Sequence, residues 1–149
     1  MRIAPFPHRY IVKLEGNRLH SLPREMIHVG APPQFGGSDL VWSPEELLVG
    51  AVLACFKTTF DAFARRDALE IGDWSATATG VLEKTAAGPR FAELDLHVTI
   101  AVDPTLEDKA RTVAAVAERN CIVSHALRCP VYVTVAVEPL PIALAEAAL

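Results

Sequence analysis

The sequence lacks the short motifs that are typical of metal centres, serine hydrolases and nucleotide-binding sites. It has three cysteines and five histidines, and none of them stand at C-x-x-C, H-x-x-x-H or H-E-x-x-H spacing. There is no G-x-S-x-G segment for a nucleophilic serine, and the eight glycines form no phosphate-binding loop. We therefore expect neither a bound metal nor a cofactor.

Long apolar runs and clusters of like charge are also missing. The net charge is −4 with no basic cluster, which argues against a nucleic-acid surface. The longest apolar run, residues 47–56, is too short to cross a bilayer, and the first ten residues lack the apolar core of a secretory signal. We expect a cytoplasmic protein that binds neither membrane nor nucleic acid, folded as a single domain over residues 1–149.

The strongest structural signal is a long helix over residues 43–67. Ser43, Pro44 and Glu46 form an S-P-x-E start, in which Ser43 caps the helix and Glu46 completes a capping box. Residues 47–56 (LLVGAVLACF) are apolar or glycine on every side, which is typical of a helix buried all round. One sheet of this size cannot cover such a helix. We therefore expect a two-fold homodimer with the two helices packed at its centre.

The remaining segments predict an α+β fold with an antiparallel sheet packed on the central helix. Two or three short strands fall within residues 8–14 and 18–29, and longer strands within 74–84, 90–102 and 130–137. Helices are expected from 103 or 105 to 120 and over 121–128, and the tail after 139 is expected to dock or fray. The strand over 90–102 alternates, with one apolar face that should be buried: Leu94, Leu96, Val98, Ile100 and Val102.

The cysteines are the candidates for chemistry. Cys55 lies in the middle of the long helix, too far from the helix start for the dipole to activate it, so a reactive Cys55 would need a nearby cation. A small buried hydrophobic residue is the alternative interpretation. Cys121 follows a predicted helix end in a less apolar segment, and two cysteines in such different settings suit a nucleophile and a resolving partner. Cys129, at a strand start, is the weaker partner, and Ser124 and His125 are expected to be capping or surface groups.

Four segments together resemble the OsmC/Ohr family, the osmotically inducible and organic hydroperoxide resistance proteins. They are A-P-P-x-F-G-G at 31–37, S-P-E-E-L-L at 43–48, A-C at 54–55 and C-x-V-S-x-A-L at 121–127. The resemblance covers nearly the whole chain, except the first few residues and the tail after Pro139. It implies an intertwined homodimer of α+β fold with a site that reduces organic hydroperoxides, forms a disulfide and is reduced again by a dithiol such as a lipoylated protein.

The resemblance also implies roles for individual residues. Cys55 matches the family's peroxidatic cysteine and Cys121 its resolving cysteine. Glu45 matches the active-site glutamate, and Arg18 stands where the activating arginine is found, with Arg24 as an alternative. On physical grounds alone, Glu45 stabilises the first turn of a helix and Arg18 is a solvated strand residue.

Three features depart from the family pattern. Ile122 replaces the proline that usually follows the resolving cysteine, and S-P-E-E stands where hydroperoxide reductases have N-P-E-Q. Cys129 is an additional thiol that could compete for the disulfide. A rival interpretation is therefore a catalytically idle relative that binds a small hydrophobic ligand in the dimer groove.

Overall fold

A computed structural model describes residues 6–140, which form two compact units divided between Leu47 and Leu48. In the first unit, β1 (Lys13–Glu15), β2 (Arg18–His20) and β3 (Ile27–His28) form an antiparallel sheet in the order β1-β2-β3. The predicted strands and the turn between them are confirmed, although the strands are shorter than expected. The segment 18–29 is split in two around Pro23, which has no backbone N–H to donate to a strand ladder.

The loop before the long helix explains the paired glycines of its sequence. A single 3₁₀ turn, Pro33–Phe35, ends at Gly36, whose φ of 76° is a left-handed conformation that glycine adopts without strain. A side chain on Gly37 would clash with the backbone carbonyl of Ala31. The loop therefore needs glycine at both positions.

The long helix α1 (Pro44–Arg66) begins as the sequence predicts. The Ser43 N–H donates to the Glu46 carboxylate at 2.8 Å, and the Glu46 N–H donates to Ser43 Oγ at 3.1 Å. This is a reciprocal capping box, and Ser43 is 1% exposed. The helix ends where Ala68 takes a left-handed φ of 48°.

The second unit contains a three-stranded sheet that corrects one prediction. Its strands are β4 (Trp74–Thr85), β5 (Gly88–Val102) and β6 (Val131–Pro139), in the order β4-β5-β6. The β4–β5 pair is antiparallel, but β5 and β6 are parallel, so the expected antiparallel sheet is wrong at β6. A 3₁₀ turn (Pro104–Leu106), α2 (Glu107–Arg119) and a short α3 (Ile122–His125) lie between β5 and β6. This helical crossover returns the chain to the end of the sheet at which β5 started, and β6 therefore runs parallel to β5.

The core of the second unit lies between this sheet and the helices. The alternation predicted for β5 is confirmed, since its five inward residues are at most 1% exposed. From α1 the core receives Val52, Phe56, Phe60 and Ala64, which repeat every four residues along one face. α2 adds four more buried residues: Ala110, Val113, Ala114 and Ala117.

The other face of α1 is not covered by the described residues, 6–140. Gly50, Ala51, Ala54 and Thr58 are exposed although the surrounding sequence is apolar. The burial on all sides that the sequence predicts is therefore not reached within residues 6–140 of one chain.

By length and composition alone, α1 could also cross a membrane, with a mean hydropathy of 1.6 over its most apolar window. The uninterrupted apolar run of residues 47–56 is by itself too short to cross a bilayer, and the expectation against a membrane span was based on that run alone. A core helix passes the same test. Because Val52, Phe56 and Phe60 are buried in the core of the second unit, we interpret α1 as a core helix.

Candidate active site

Cys55 lies in the middle of α1, at the border between its buried and exposed faces. Its neighbour Phe56 is 1% exposed, whereas Ala54 on the other side is exposed. Cys55 itself is partly buried and its thiol is free. In the single chain the Cys55 side chain is therefore partly open on the exposed side of the helix.

Cys121 stands between two helices and is held by the backbone on both sides. Asn120 ends α2, as the sequence predicts, and the Cys121 N–H donates to the Glu118 carbonyl at 3.3 Å. The Cys121 carbonyl accepts a hydrogen bond from the His125 N–H at 3.2 Å, in the short α3. The Cys121 side chain is free and 1% exposed.

The fold brings these two cysteines together. Burial raises the pKa of the Cys121 thiol, and a hydrogen bond and charge interaction with the Cys55 side chain raise it further. Such interactions weaken with distance, so the two free thiols are near each other in the fold. Neighbouring thiols of this kind can exchange between dithiol and disulfide forms.

Ser124 is part of this site, which the sequence analysis did not foresee. The expectation of a capping or surface role is corrected, because its hydroxyl donates a hydrogen bond to Cys121 Sγ at 3.0 Å. Hydrogen bonds from Ser124 lower the pKa of Cys121 and oppose the effect of burial. The C-x-x-S spacing could have indicated the contact, because residues three apart in one helical turn lie on the same face.

Glu45 and Arg18 both belong to the first unit. Glu45 is in the first turn of α1, and its Oε2 atom is buried without a hydrogen-bond partner among residues 6–140. Arg18 is exposed on β2, and among those residues no ion pair joins it to Glu45. The guanidinium group of Arg24, the alternative, donates long hydrogen bonds of 3.4 Å to the carbonyl and hydroxyl of Ser21.

The cation nearest to Cys55 in the sequence, Lys57, is already engaged. Its Nζ contacts the Asp61 carboxylate at 2.6 Å and lies 5.1 Å from the centre of the Trp74 ring. Cys129 is partly buried and packs against the core of the second unit. Within the described part of the chain, no group of three or more histidine, cysteine or acidic side chains could hold a metal ion.

Several solved structures share this fold. An OsmC-like protein from Mycoplasma pneumoniae has a TM-score of 0.74 at 18% identity, over 89% of this chain and 99% of its own. An organic hydroperoxide resistance protein from Elizabethkingia anophelis, with thiocyanate bound, has a TM-score of 0.69 at 21% identity, over 90% and 99%. A putative organic hydroperoxide resistance protein from Vibrio cholerae, with captopril in one active site, has a TM-score of 0.65 at 21% identity, over 88% and 93%.

Identities this low show the fold alone. A comparison with curated proteins found no match. The family model for OsmC-like proteins, however, matches residues 36–136, a segment that contains both cysteines of the site and most of the fold. The chain belongs to the OsmC-like protein family.

Proposed function

We propose that this protein is a thiol peroxidase that reduces organic hydroperoxides, with Cys55 as the nucleophile and Cys121 as the resolving cysteine. The observation that carries the proposal is the electrostatic interaction between the two free thiols, of which Cys55 is partly buried on α1 and Cys121 is 1% exposed. The names of similar structures, which include organic hydroperoxide resistance proteins, support the same chemistry.

The reaction has three steps. The Cys55 thiolate attacks the hydroperoxide, the O–O bond breaks, and the products are an alcohol and a Cys55 sulfenic acid. The Cys121 thiolate then attacks the Cys55 sulfur, which forms the Cys55–Cys121 disulfide and releases water after proton uptake. A dithiol, such as a lipoyl group on a protein, reduces the disulfide and becomes a disulfide itself.

Activation of Cys55 requires a positive charge that its own helix does not supply. The helix dipole fades within the first turn, and Lys57 is bound to Asp61. The Oε2 atom of Glu45, which is buried without a partner among the described residues, suits a guanidinium group, because buried carboxylate oxygens are normally satisfied. Arg18 is our candidate, with Arg24 as the alternative, and it would pair with Glu45 and face the Cys55 thiolate.

A second copy of the chain would complete this arrangement. Glu45 and Cys55 are ten residues apart on α1, about 15 Å along the axis, which is too far for one arginine to contact both on the same helix. If two α1 helices pack antiparallel about a two-fold axis, the start of one lies beside the middle of the other. The uncovered face at Gly50, Ala51 and Ala54 supplies the surface for this contact.

The first unit also has surface that a partner would cover. Most of the large apolar side chains that are exposed lie in residues 6–47, including Tyr10 at 89%, Leu40 at 88% and Leu22 at 78%. Single exposed hydrophobic residues are ordinary, but so many in so short a segment indicate an interaction surface. We propose an intertwined homodimer in the cytoplasm.

The apolar surroundings of Cys55 favour bulky substrates. Alkyl or aryl groups of a hydroperoxide can bury against the Leu, Val, Ala and Phe side chains of α1, and each buried CH₂ contributes about 0.8 kcal/mol. Hydrogen peroxide has no such group.

The test is stopped-flow consumption of cumene hydroperoxide and of hydrogen peroxide by wild type and by Cys55→Ser. We expect a higher kcat/KM for cumene hydroperoxide in the wild type and no consumption by the variant. Equal rates with both peroxides would refute the substrate class. No consumption by the wild type would refute the peroxidase and favour the ligand-binding alternative.

A further inference from the structure

Ser124 and Cys121 form a preorganised pair at the start of α3. The hydroxyl of Ser124 donates to Cys121 Sγ at 3.0 Å, and the backbone on either side of Cys121 is fixed by hydrogen bonds to Glu118 and from His125. The sulfur therefore has a defined position beside Cys55. Ser124 itself is partly buried and borders a cavity of about 350 Å³ between α2, α3 and β6.

The resolving step needs the deprotonated form of Cys121, because the thiolate and not the thiol attacks sulfur. Burial works against this form, since it raises the pKa of Cys121. Hydrogen bonds donated by Ser124 act in the opposite direction. Within the described part of the chain, Ser124 is the group whose hydrogen bonds favour the Cys121 thiolate.

We propose that Ser124 is a positioning residue for disulfide formation: it orients the Cys121 sulfur and stabilises its thiolate during attack on oxidised Cys55. The inference rests on the proposed function. In the step concerned, the bond between the Cys121 and Cys55 sulfurs forms and the S–O bond of the Cys55 sulfenic acid breaks. The leaving hydroxide takes up a proton and departs as water. Ser124 has no part in the preceding attack of Cys55 on the hydroperoxide.

Other titratable groups also lie near this pair. Cys55 on α1 interacts with Cys121 directly. Glu118 and Arg119 at the end of α2, and His125 on α3, line the same cavity as Ser124. His125→Gln is therefore a control, and it should leave the pH midpoint of disulfide formation where the wild type has it.

The test isolates the resolving step in a Cys129→Ser background, so that only two thiols remain. In the first arm, cumene hydroperoxide oxidises Cys55, and quenched samples are analysed by mass spectrometry for sulfenic acid and disulfide. In the second arm, dipyridyl disulfide caps Cys55 as a mixed disulfide, and attack by Cys121 releases a second pyridinethione that is followed by absorbance. Both arms are run across a range of pH.

Ser124→Ala should leave the first oxidation of Cys55 unchanged and slow disulfide formation at neutral pH by about threefold or more. A rise of one pKa unit lowers the thiolate fraction about tenfold, whereas the greater nucleophilicity of the more basic thiolate recovers about threefold. The pH midpoint should move upward by about one unit, since hydrogen bonds to charged groups are of that strength.

An isosteric pair separates the hydroxyl from packing. Ser124→Thr keeps the hydroxyl donor and should behave like wild type. Valine has the same shape as threonine but no donor, so Ser124→Val should behave like Ser124→Ala. Thr112→Ala removes a hydroxyl that bonds the Asp108 carbonyl on α2 and should have no effect.

The outcomes are distinct. An unchanged pH midpoint in both Ser124→Ala and Ser124→Val, or a Ser124→Thr variant as slow as Ser124→Val, would overturn the inference. A merely structural role would lower the rate at every pH without moving the midpoint. If cumene hydroperoxide leaves wild-type Cys55 reduced but the pyridyl arm still shows the shift, the proposed peroxidase fails and the role of Ser124 stands.

Discussion

At the scale of single residues, the two cysteines of the site differ because their surroundings differ. Cys55 lies at the border of an exposed helix face, whereas Cys121 is 1% exposed and has a raised pKa, chiefly because of burial. The accessible thiol is suited to meet a substrate first. The buried thiol is suited to react only with a neighbour, which is the task of a resolving cysteine.

The raised pKa of Cys121 predicts a loss of stability at alkaline pH. In the unfolded chain this thiol ionises near its ordinary pKa, and in the folded protein it ionises higher. Between the two values the folded state retains a proton that the unfolded state has lost, so a rising pH favours unfolding. This stability is fully present below the ordinary thiol pKa and is lost as the pH rises through the folded value.

Urea unfolding of the reduced protein at a series of pH values measures this effect. The free energy of unfolding of Cys121→Ala should fall less steeply above the ordinary thiol pKa than that of the wild type. Cys129→Ala is the matched control and should retain the wild-type slope. Parallel curves for wild type and Cys121→Ala would contradict the assignment.

At the scale of secondary structure elements, local patterns were sufficient to predict the helix start and the central strand. The capping box of Ser43 and Glu46 depends on residues three apart, and the buried face of β5 depends on alternation within one strand. The parallel pairing of β6 with β5 joins Leu94 to Val131 and depends on the path of the intervening helices. No local pattern contains that information.

The candidate site also combines features that local sequence predicts with features that it does not. The positions of Cys55 on a helix and Cys121 after a helix end follow from sequence, and their roles were implied by family resemblance. The hydrogen bond from Ser124 to Cys121 depends on side-chain directions in a four-residue helix, which composition does not reveal. Residue type alone led to the wrong expectation for Ser124.

The capping box predicts the effect of one substitution at the start of α1. Ser43→Ala removes the acceptor for the Glu46 N–H and should lower the free energy of unfolding by about 1 kcal/mol. Ser38→Ala is the control, because Ser38 accepts from the Leu40 N–H in an exposed loop outside the helix. Urea denaturation compares the two, and an equal or larger loss in Ser38→Ala would contradict a specific capping role.

At the scale of the whole molecule, the proposed dimer is tested at the uncovered face of α1. Ala51 is exposed in the single chain, so Ala51→Glu should leave the fold of one chain intact but place a charge in the proposed interface. Light scattering should show a dimer for the wild type and a monomer or a much weaker dimer for the variant. Thr112→Glu, on the exposed face of α2, should remain dimeric. A monomeric wild type would refute the dimer.

Sharing of the site between subunits predicts complementation. Cys55→Ser chains and Glu45→Ala chains should each be inactive, and mixed dimers should contain one site with both residues intact. Activity should therefore return on mixing, once subunits exchange. If mass spectrometry shows mixed dimers and the mixture stays inactive, the two residues do not act across the interface.

The central claim is that Cys55 and Cys121 form a redox pair driven by an organic hydroperoxide. The most direct measurement is peptide mass spectrometry of the protein after one equivalent of cumene hydroperoxide, for wild type, Cys121→Ser and Cys55→Ser. We predict a Cys55–Cys121 disulfide in the wild type, a sulfenic acid or higher oxide at Cys55 in Cys121→Ser, and unoxidised thiols in Cys55→Ser. Equal loss of the first oxidation in both variants, or a wild-type disulfide that uses Cys129, would contradict the account.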